Sequence, residues 1–571
     1  MLGLNYTYVS LTPEQVIARR HALDNAGLRA YLLPIILLTT IYVHRTWFRN
    51  LSIKSKTSSN DKPTRSRIWT RRLHWTLTTT SIGDFGPLNA VLIMLAYSTV
   101  LVCIIFYGTG NDYMHLTKSL SHVTIAQLPL HYLLSIKSLQ SPITVATGLS
   151  HERLNDYHRL FGRIIHTLLA AHALMYLKFF IDLNILTKRL RDSDVQTGLL
   201  AFITINLLGL LSLPVIRKTL YHRIFYRSHI VLSASLLLVV WFHVPYTRIY
   251  VAQSAIFWIL NAILRRKDSV DVEVTCHRTS PNLLTLSMTA SEARMHQYTP
   301  GMHIYLNAKH FIGPRTPFTI SHVNPLVHGK VEVKLVAKIS GGPQTTLLAE
   351  TADSTKRKIR MQLEGPYGEA GEYLPHLLSG AGQSDRRILI FCGGVGATYG
   401  LSVWKALCQQ QQQQHDQHTR NTSTTALTFV WLVHDSSDLD WAEPLIRGTL
   451  QSSFNNQFKI YITGTPSTST STVADFSSLT TLTPQLTVTR CAARPNLSHL
   501  LAPFFSESSP EQPTKSSISD TKINIQQHAP LTILTCGPPT LITSLKHLVG
   551  SYTRTHSRAI AFHEERFGFG G

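Results

Sequence analysis

Cysteine is scarce and unpaired in this 571-residue chain: Cys103, Cys276, Cys392, Cys408, Cys491 and Cys536 share no C-x-x-C spacing. That argues against a thiolate zinc site and against a disulfide framework, so the thiols are expected to be reduced and either buried or facing the cytosol. Acidic residues are also few, 32 against 54 Lys and Arg, for a formal charge of +22. In a soluble protein such an excess would raise nucleic-acid binding, yet no base-reading motif accompanies it. The basic residues instead flank apolar runs: Arg65, Arg67, Arg71 and Arg72, then Arg217, Lys218, Arg223 and Arg227, then Arg265, Arg266 and Lys267. Cytoplasmic loops of membrane proteins carry this bias. Missing too is any Ser-His-Asp or paired-carboxylate constellation, which leaves hydrolytic acid–base chemistry without residues to perform it.

The mean hydropathy of +0.04 hides an uneven distribution. A membrane-spanning helix needs about 20 apolar residues, and stretches of that kind occur at 26–46, 86–108, 122–148, 159–181, 196–216, 229–247 and 248–264. The stretch 122–148 contains Lys137 and two prolines, so it reads as a kinked helix or a re-entrant segment and the total as six or seven. With seven, the basic loops 47–74 and 217–228 and the exit at 265–267 share one side, the cytoplasm, and the N-terminal tail 1–25 lies outside. Residues 1–25 hold charges and no apolar run, so the first helix is expected to direct insertion.

Two of these stretches carry paired histidines. In "YHRLFGRIIHTLLAAHALMY" His158 and His172 are 14 residues apart, and in "RSHIVLSASLLLVVWFH" so are His229 and His243. Fourteen residues fall about 40° short of four turns, so each pair occupies one helix face at two levels about 21 Å apart. The two helices have the same parity, which sets His158 opposite His229 and His172 opposite His243. Imidazole ligates haem iron, and a six-coordinate iron suits electron transfer. A single intramembrane histidine is ordinarily a hydrogen-bonded packing residue; polar groups there are expensive, and the duplicated spacing favours two bis-histidine haems, haem b by type. His166 and His222 fit neither face. Arg159, Arg163, Arg223 and Arg227 lie at the cytoplasmic end, where they serve either to pair with inner haem propionates or as ordinary charge-bias anchors.

After Lys267 the pattern becomes short alternating segments, "VDVEVTCH", "NLLTLSMT", "HIYLNA" and "KVEVKLVAKI", which predict β-barrel strands. From about Arg386 strands alternate with helical stretches, the signature of a parallel α/β sheet. Low-complexity stretches interrupt it at Gln409–Gln414, Thr465–Thr472 and about Ser506–Gln527 and are expected to be flexible surface insertions.

The segment "GMHIYLNAKHFIGPRTPFTISH" resembles the flavin-binding stretch of the ferredoxin-reductase-like superfamily through Arg315, Pro317, Phe318, Thr319, Ile320 and Ser321, with Thr316 where ferric reductases usually carry histidine and His322 where serine is frequent. "KISGGPQTTLL", with Lys338, Gly341, Gly342 and Thr345, is similar to the second flavin segment, and "LEGPYG" to the hinge that follows the barrel. "CGGVGATYG", including Gly393, Gly394, Gly396, Ala397 and Thr398, follows an apolar strand and opens a helix whose amides can receive a pyrophosphate. "LTFVWLVHD", "FKIYITG", "ARPNL" and "ILTCGPPTLI" come next, in the order shown by ferric reductases and NADPH oxidases. By that resemblance Cys536 and Gly537 lie by the nicotinamide and Arg494 is a candidate for the 2′-phosphate. In the tail "AFHEERFGFGG" Phe567, or alternatively Phe569, would shield the flavin.

With "RRHALDNAGLRAYLLP" near the N-terminus, the chain resembles the fungal ferric-chelate reductases from about residue 11 to the end. The resemblance implies a multi-domain membrane protein: a tail (1–25), an α-helical transmembrane haem bundle of six or seven helices (26–267), a ferredoxin-reductase-like β-barrel FAD domain (268–375) and an α/β NADPH-binding domain (385–571). NADPH supplies two electrons at once and haem iron takes one, so FAD would convert between them. The implied acceptors are ferric chelates or siderophores and cupric ion, reduced outside the plasma membrane for a separate iron transporter. A superoxide-generating NADPH oxidase would use the same relay. A non-enzymatic channel with a degenerate reductase domain would lack the nucleotide motifs, which are present.

Overall fold

In the computed structural model the described residues are 6–54, 65–220, 224–308, 315–339, 342–379, 386–417, 425–450, 456–464, 485–505, 530–555 and 560–565. They divide into two units, one comprising Met1–Asp61 and Thr80–Asp268, the other Lys62–Thr79 and Ser269–Phe567.

The apolar half is helical throughout: α1 (Pro13–Lys54), α2 (Arg65–Thr79), α3 (Leu88–Phe106), α4 (Tyr113–Ile125), α5 (Leu128–Leu133), α6 (Pro142–Thr147), α7 (His151–Asp182), α8 (Leu186–Arg189), α9 (Ser193–Leu211), α10 (Pro214–Thr219), α11 (Tyr226–His243) and α12 (Arg248–Lys267). Among the described residues five segments are long and apolar enough to cross a membrane: Pro13–Trp47, Leu88–Phe106, His151–Asp182, Ser193–Leu211 and Pro245–Lys267. They coincide with five of the seven expected stretches, and a sixth, 229–247, lies mostly in the 18-residue α11. The seventh, 122–148, is not one helix. It is divided among the end of α4, α5 and α6, and prolines open both short helices, where a missing amide costs nothing. Buried Gln127 fixes the first break: its amide donates to the Ala30 carbonyl at 2.6 Å and its oxygen accepts from the Tyr97 hydroxyl at 2.5 Å.

In the second unit β1 (Ser269–Ser280), β2 (Leu283–Ser291), β3 (His303–Ala308), β4 (Thr316–Pro325), β5 (Lys330–Lys338) and β6 (Lys358–Tyr367) close an antiparallel barrel in the order β1-β2-β5-β4-β3-β6. Alternation drives it: Val274, Leu286, Ile304, Ile320, Leu335 and Leu363 point inward and are fully buried. Helix α13 (Glu292–Met295) follows β2, and α14 (Pro343–Asp353) lies between β5 and β6. After α15 (Ala370–Ser379) come β7 (Arg387–Gly393), α16 (Ala397–Gln417), β8 (Ala426–Val433), α17 (Glu443–Leu450), β9 (Gln457–Ile462), β10 (Leu486–Arg490), α18 (Leu497–Phe505), β11 (Leu531–Cys536), α19 (Pro539–Thr555) and β12 (Ile560–Glu564). The six strands pair in parallel, in the order β10-β9-β8-β7-β11-β12.

Two expectations change here. Within the stretch 47–74, read as a basic loop, residues 65–74 belong to α2, and α2 packs in the α/β domain. Its Trp75 is buried among Leu389, Phe391, Ile533 and Val549 and stands edge-on to Phe562 at 5.8 Å. The matching notch on α19 is Gly550, where a Cβ would lie 2.2 Å from the Trp75 indole nitrogen. The glutamine tract is likewise ordered, since it extends α16; Gln411 donates to the Thr425 carbonyl at 2.7 Å and accepts from Asn456 at 2.8 Å. The Thr/Ser run 465–472 and the polar segment 506–527 lie outside the described residues.

Candidate electron-transfer site

Three of the four paired histidines are aimed the same way. The Nδ1–H of His158 donates to the His131 carbonyl at 3.2 Å, that of His172 to the Thr117 carbonyl at 2.8 Å, and that of His243 to the Asp194 carbonyl at 2.7 Å. A carbonyl can only accept, so Nδ1 carries the proton in each ring and Nε2 keeps its lone pair for a metal. The rings of His158 on α7 and His229 on α11 stand 6.4 Å apart, inclined at 74°. Two imidazoles sharing one iron, at about 2 Å per bond, place their centroids about 6 Å apart. The Nδ1 of His229 is buried without a hydrogen-bond partner among the described residues. These residues fit a bis-histidine haem. Of the two bystanders, His166 bonds Asn206 at 3.3 Å, and His222 lies outside the described residues.

The arginines at the same end are organised by acids that the sequence reading overlooked. Asp84 joins Arg163 at 2.5 Å and Arg217 at 2.7 Å, while Arg159 bonds Asp156 at 2.5 Å. Arg159 Nε and Arg163 Nη1 remain buried without a partner among the described residues, so each keeps a donor that a propionate can take. Arg227 is exposed, and Arg223 is outside the described residues.

In the barrel, β4 presents Pro317, Phe318, Thr319, Ile320 and Ser321, the last four buried. The first and second flavin segments are stitched together: the Thr316 hydroxyl donates to Gln344 at 2.7 Å, and Gln344 donates to the Leu306 carbonyl at 2.7 Å. Gly342 caps α14, and Thr345 bonds the Gly342 carbonyl at 3.0 Å, so the start of that helix lies beside β4. Arg315 is held by buried Glu364 and donates to Gln362 at 2.7 Å and Ser269 at 2.9 Å. Lys338 ends β5 exposed, and Gly341 is outside the described residues. A helix start next to a small hydroxyl and an anchored arginine fits a flavin pyrophosphate.

Gly393, Gly394, Gly396, Ala397, Thr398, Cys536 and Gly537 meet at the switch point of the parallel sheet, between β7 and β11, where open α/β sheets bind ligands, whereas Arg494 lies beyond edge strand β10. Cys392 and Cys536 are register partners there. A Cβ on Gly396 would lie 2.4 Å from the Cys536 carbonyl oxygen, and one on Gly393 2.7 Å from Leu541. Only glycine permits this approach of the turn Gly394–Gly396 to Cys536–Gly537. Ala397 and Thr398 open α16, and the Thr398 hydroxyl donates to the Val395 carbonyl at 2.9 Å. Burial pushes the Cys392 thiol up to about 12 and raises Cys536 as well, so both are neutral thiols. Arg494 follows β10 and is exposed.

Around Cys536 the structure adds residues to which the motifs containing most of them assigned no role. His303 bonds Glu565 at 2.9 Å, the Tyr373 and Tyr399 hydroxyls bond each other, and His563 stacks on Tyr373 at 4.2 Å. Their signal in sequence is slight, since they belong to four separate segments. Phe567 and Phe569 lie outside the described residues.

Three family models match the chain in succession: the ferric reductase like transmembrane component over residues 120–240, an FAD-binding domain over 270–371 and the ferric reductase NAD binding domain over 386–550. Ferric reduction oxidase 2 of Arabidopsis thaliana is 21% identical over 67% of this chain and 54% of its own length. A probable metalloreductase of Zygosaccharomyces rouxii is 22% identical over 61% of this chain and 62% of its own. Ferric/cupric reductase transmembrane component 7 of Saccharomyces cerevisiae is 21% identical, over 68% and 60%. The chain thus spans between half and two thirds of these relatives. Among solved structures, a flavohemoglobin from Malassezia yamatoensis aligns at TM-score 0.33 and 13% identity over 78% of this chain and 96% of that one. A transmembrane component, an FAD-binding domain and an NAD-binding domain in unbroken succession make this multi-pass membrane protein a member of the ferric reductase family.

Proposed function

We propose that the protein is a transmembrane metalloreductase that moves electrons from cytosolic NADPH, through FAD and two bis-histidine haems, to a ferric chelate or cupric ion on the opposite face. The observation that carries this reading is the shared aim of His158, His172 and His243, each donating Nδ1–H to a carbonyl and keeping Nε2 for iron. FAD held by the flavin segments would supply the conversion between two-electron hydride chemistry at the nicotinamide and one-electron chemistry at haem.

The chain's own residues bind and orient. Gly393, Gly394 and Gly396 let the backbone approach a dinucleotide pyrophosphate at the start of α16, and Arg494 offers a cation to a 2′-phosphate. Cys536, kept neutral by burial, adds a small apolar wall beside the nicotinamide without a competing charge. Thr316, Gln344 and Thr345 hold the flavin segments in register. Arg159 and Arg163 offer donors to the inner haem's propionates. The basic residues Arg265, Arg266 and Lys267 support a cytoplasmic end for α12. Reduction outside would supply a separate iron transporter.

The test uses the full chain purified in detergent. A bis-histidine haem spectrum reduced by NADPH faster than by NADH, with ferric-chelate reduction insensitive to superoxide dismutase, is the expected result. Loss of chelate reduction on adding the dismutase transfers the reading to superoxide production, and absence of haem overturns it.

A further inference from the structure

A fifth histidine of the helical unit, His131 on α5, belongs to neither 14-residue pair. Its ring lies parallel to that of His158, 4.2 Å away and inclined by only 7°. Its own carbonyl is the group that receives the His158 Nδ1–H. Its Nδ1 is buried without a hydrogen-bond partner among the described residues. The ring has been given room: Gly162 sits one turn beyond His158 on α7, and a Cβ there would come within 3.2 Å of His131 Cε1. Glycine inside a helix is unfavourable against alanine, and the close approach of this ring is what the position requires. Phe161 closes the other edge at 6.0 Å.

We infer that His131 is a positioning residue for the inner haem: its carbonyl sets the tautomer of His158 and its stacked ring fixes the plane in which that imidazole meets iron. A hydrogen bond from Nδ1 restrains a ligand ring at one atom and leaves it some freedom to tilt about the line to its metal. A parallel neighbour at van der Waals distance removes that freedom, and ligand-plane orientation governs both the low-spin signature and the potential of a bis-imidazole haem. The single piece of chain around His131 thereby controls one haem and leaves the His172/His243 level alone.

This inference rests on the haem reading above, and the experiment separates the two. Full-length wild type, H131A, H131F and H158A are purified in detergent. Haem per chain, the low-spin electron paramagnetic resonance spectrum, the midpoint potential of each haem and the rate of haem transfer to apomyoglobin are recorded. H158A is expected to lose one of two haems; two haems retained in H158A sink the haem reading itself. H131A is expected to change one haem only, with a shifted low-spin signal and midpoint and transfer about 10- to 100-fold faster, while H131F, which keeps a flat stacked ring, restores the wild-type values. Wild-type signals in H131A, changes in both haems, or H131F matching H131A overturn the positioning role.

Discussion

His303 of β3 and Glu565, 262 residues later, share a hydrogen bond of 2.9 Å with both side chains buried. The bond fastens the end of the chain to the barrel, and Gly368 makes room for it: a Cβ there would lie 3.1 Å from Glu565 Oε1 and 3.4 Å from His303 Nδ1. Removing one partner of such a buried hydrogen bond costs about 1–3 kcal/mol. Glu565→Ala is therefore expected to lower the midpoint of thermal flavin release, and Glu565→Gln, which still accepts a hydrogen bond, to lower it less. Equal melts for wild type and E565A would refute this.

Each histidine pair should behave as a unit. His158→Ala and His229→Ala are expected to remove the same haem, and His172→Ala and His243→Ala the other, each halving the pyridine haemochrome per chain. Loss patterns that cross the pairs would show that the levels are matched differently.

Gly396→Ala puts a methyl against backbone, 2.4 Å from the Cys536 carbonyl oxygen and 2.9 Å from the Gly537 nitrogen. Neither atom is the end of a flexible side chain, so the turn after β7 must shift. The expected outcome is NADPH affinity lowered by more than about tenfold, which corresponds to 1.4 kcal/mol, with flavin content unchanged. Isothermal titration with NADP+ measures the first and absorbance the second.

His322 supplies a pH dependence. Burial disfavours its charged form, Lys334 and Lys405 repel it further and Glu332 opposes them, and its pKa falls from 6.5 to about 4. The unfolded chain binds the proton more readily, so this contribution to stability is present above about pH 6.5 and is lost as pH falls toward 4. His322→Gln should flatten that part of the stability profile relative to wild type, as read from denaturant midpoints between pH 4 and 7. Parallel profiles would remove His322 as the cause.

Trp75→Ala empties a buried site on the α/β domain. A large aromatic lost from a core costs about 3–5 kcal/mol. The expected signature is a lower melting point for nucleotide-protected structure with haem content unaltered, whereas exposed Trp69 on the same helix should tolerate alanine.

Much of this architecture was legible because periodicity reports burial. The alternating segments after Lys267 became barrel strands, and the repeated 14-residue interval put His158 and His229 at one level with rings 6.4 Å apart. What escaped notice depended on partners distant in sequence. His131, Asp84 and Glu565 received no role from the sequence, since their roles exist only once His158, Arg163 and His303 arrive beside them. The basic run of α2 hid Trp75, because a cluster of charges in the sequence says nothing about which of its neighbours is buried. The glutamine tract misled by composition: six identical polar residues suggested a loop, but glutamine is a good helix former and α16 was already under way.

The insertion of Trp75 makes the FAD- and NAD-binding half discontinuous in sequence. Its first piece is translated about 190 residues before its second, so a ribosome delivers α2 long before β7, β11 and α19 exist to receive it. A soluble fragment begun at Ser269 would emerge with an open apolar slot beside Gly550, prone to self-association, and a synthetic peptide covering 65–79 added in trans should fill that slot and restore solubility.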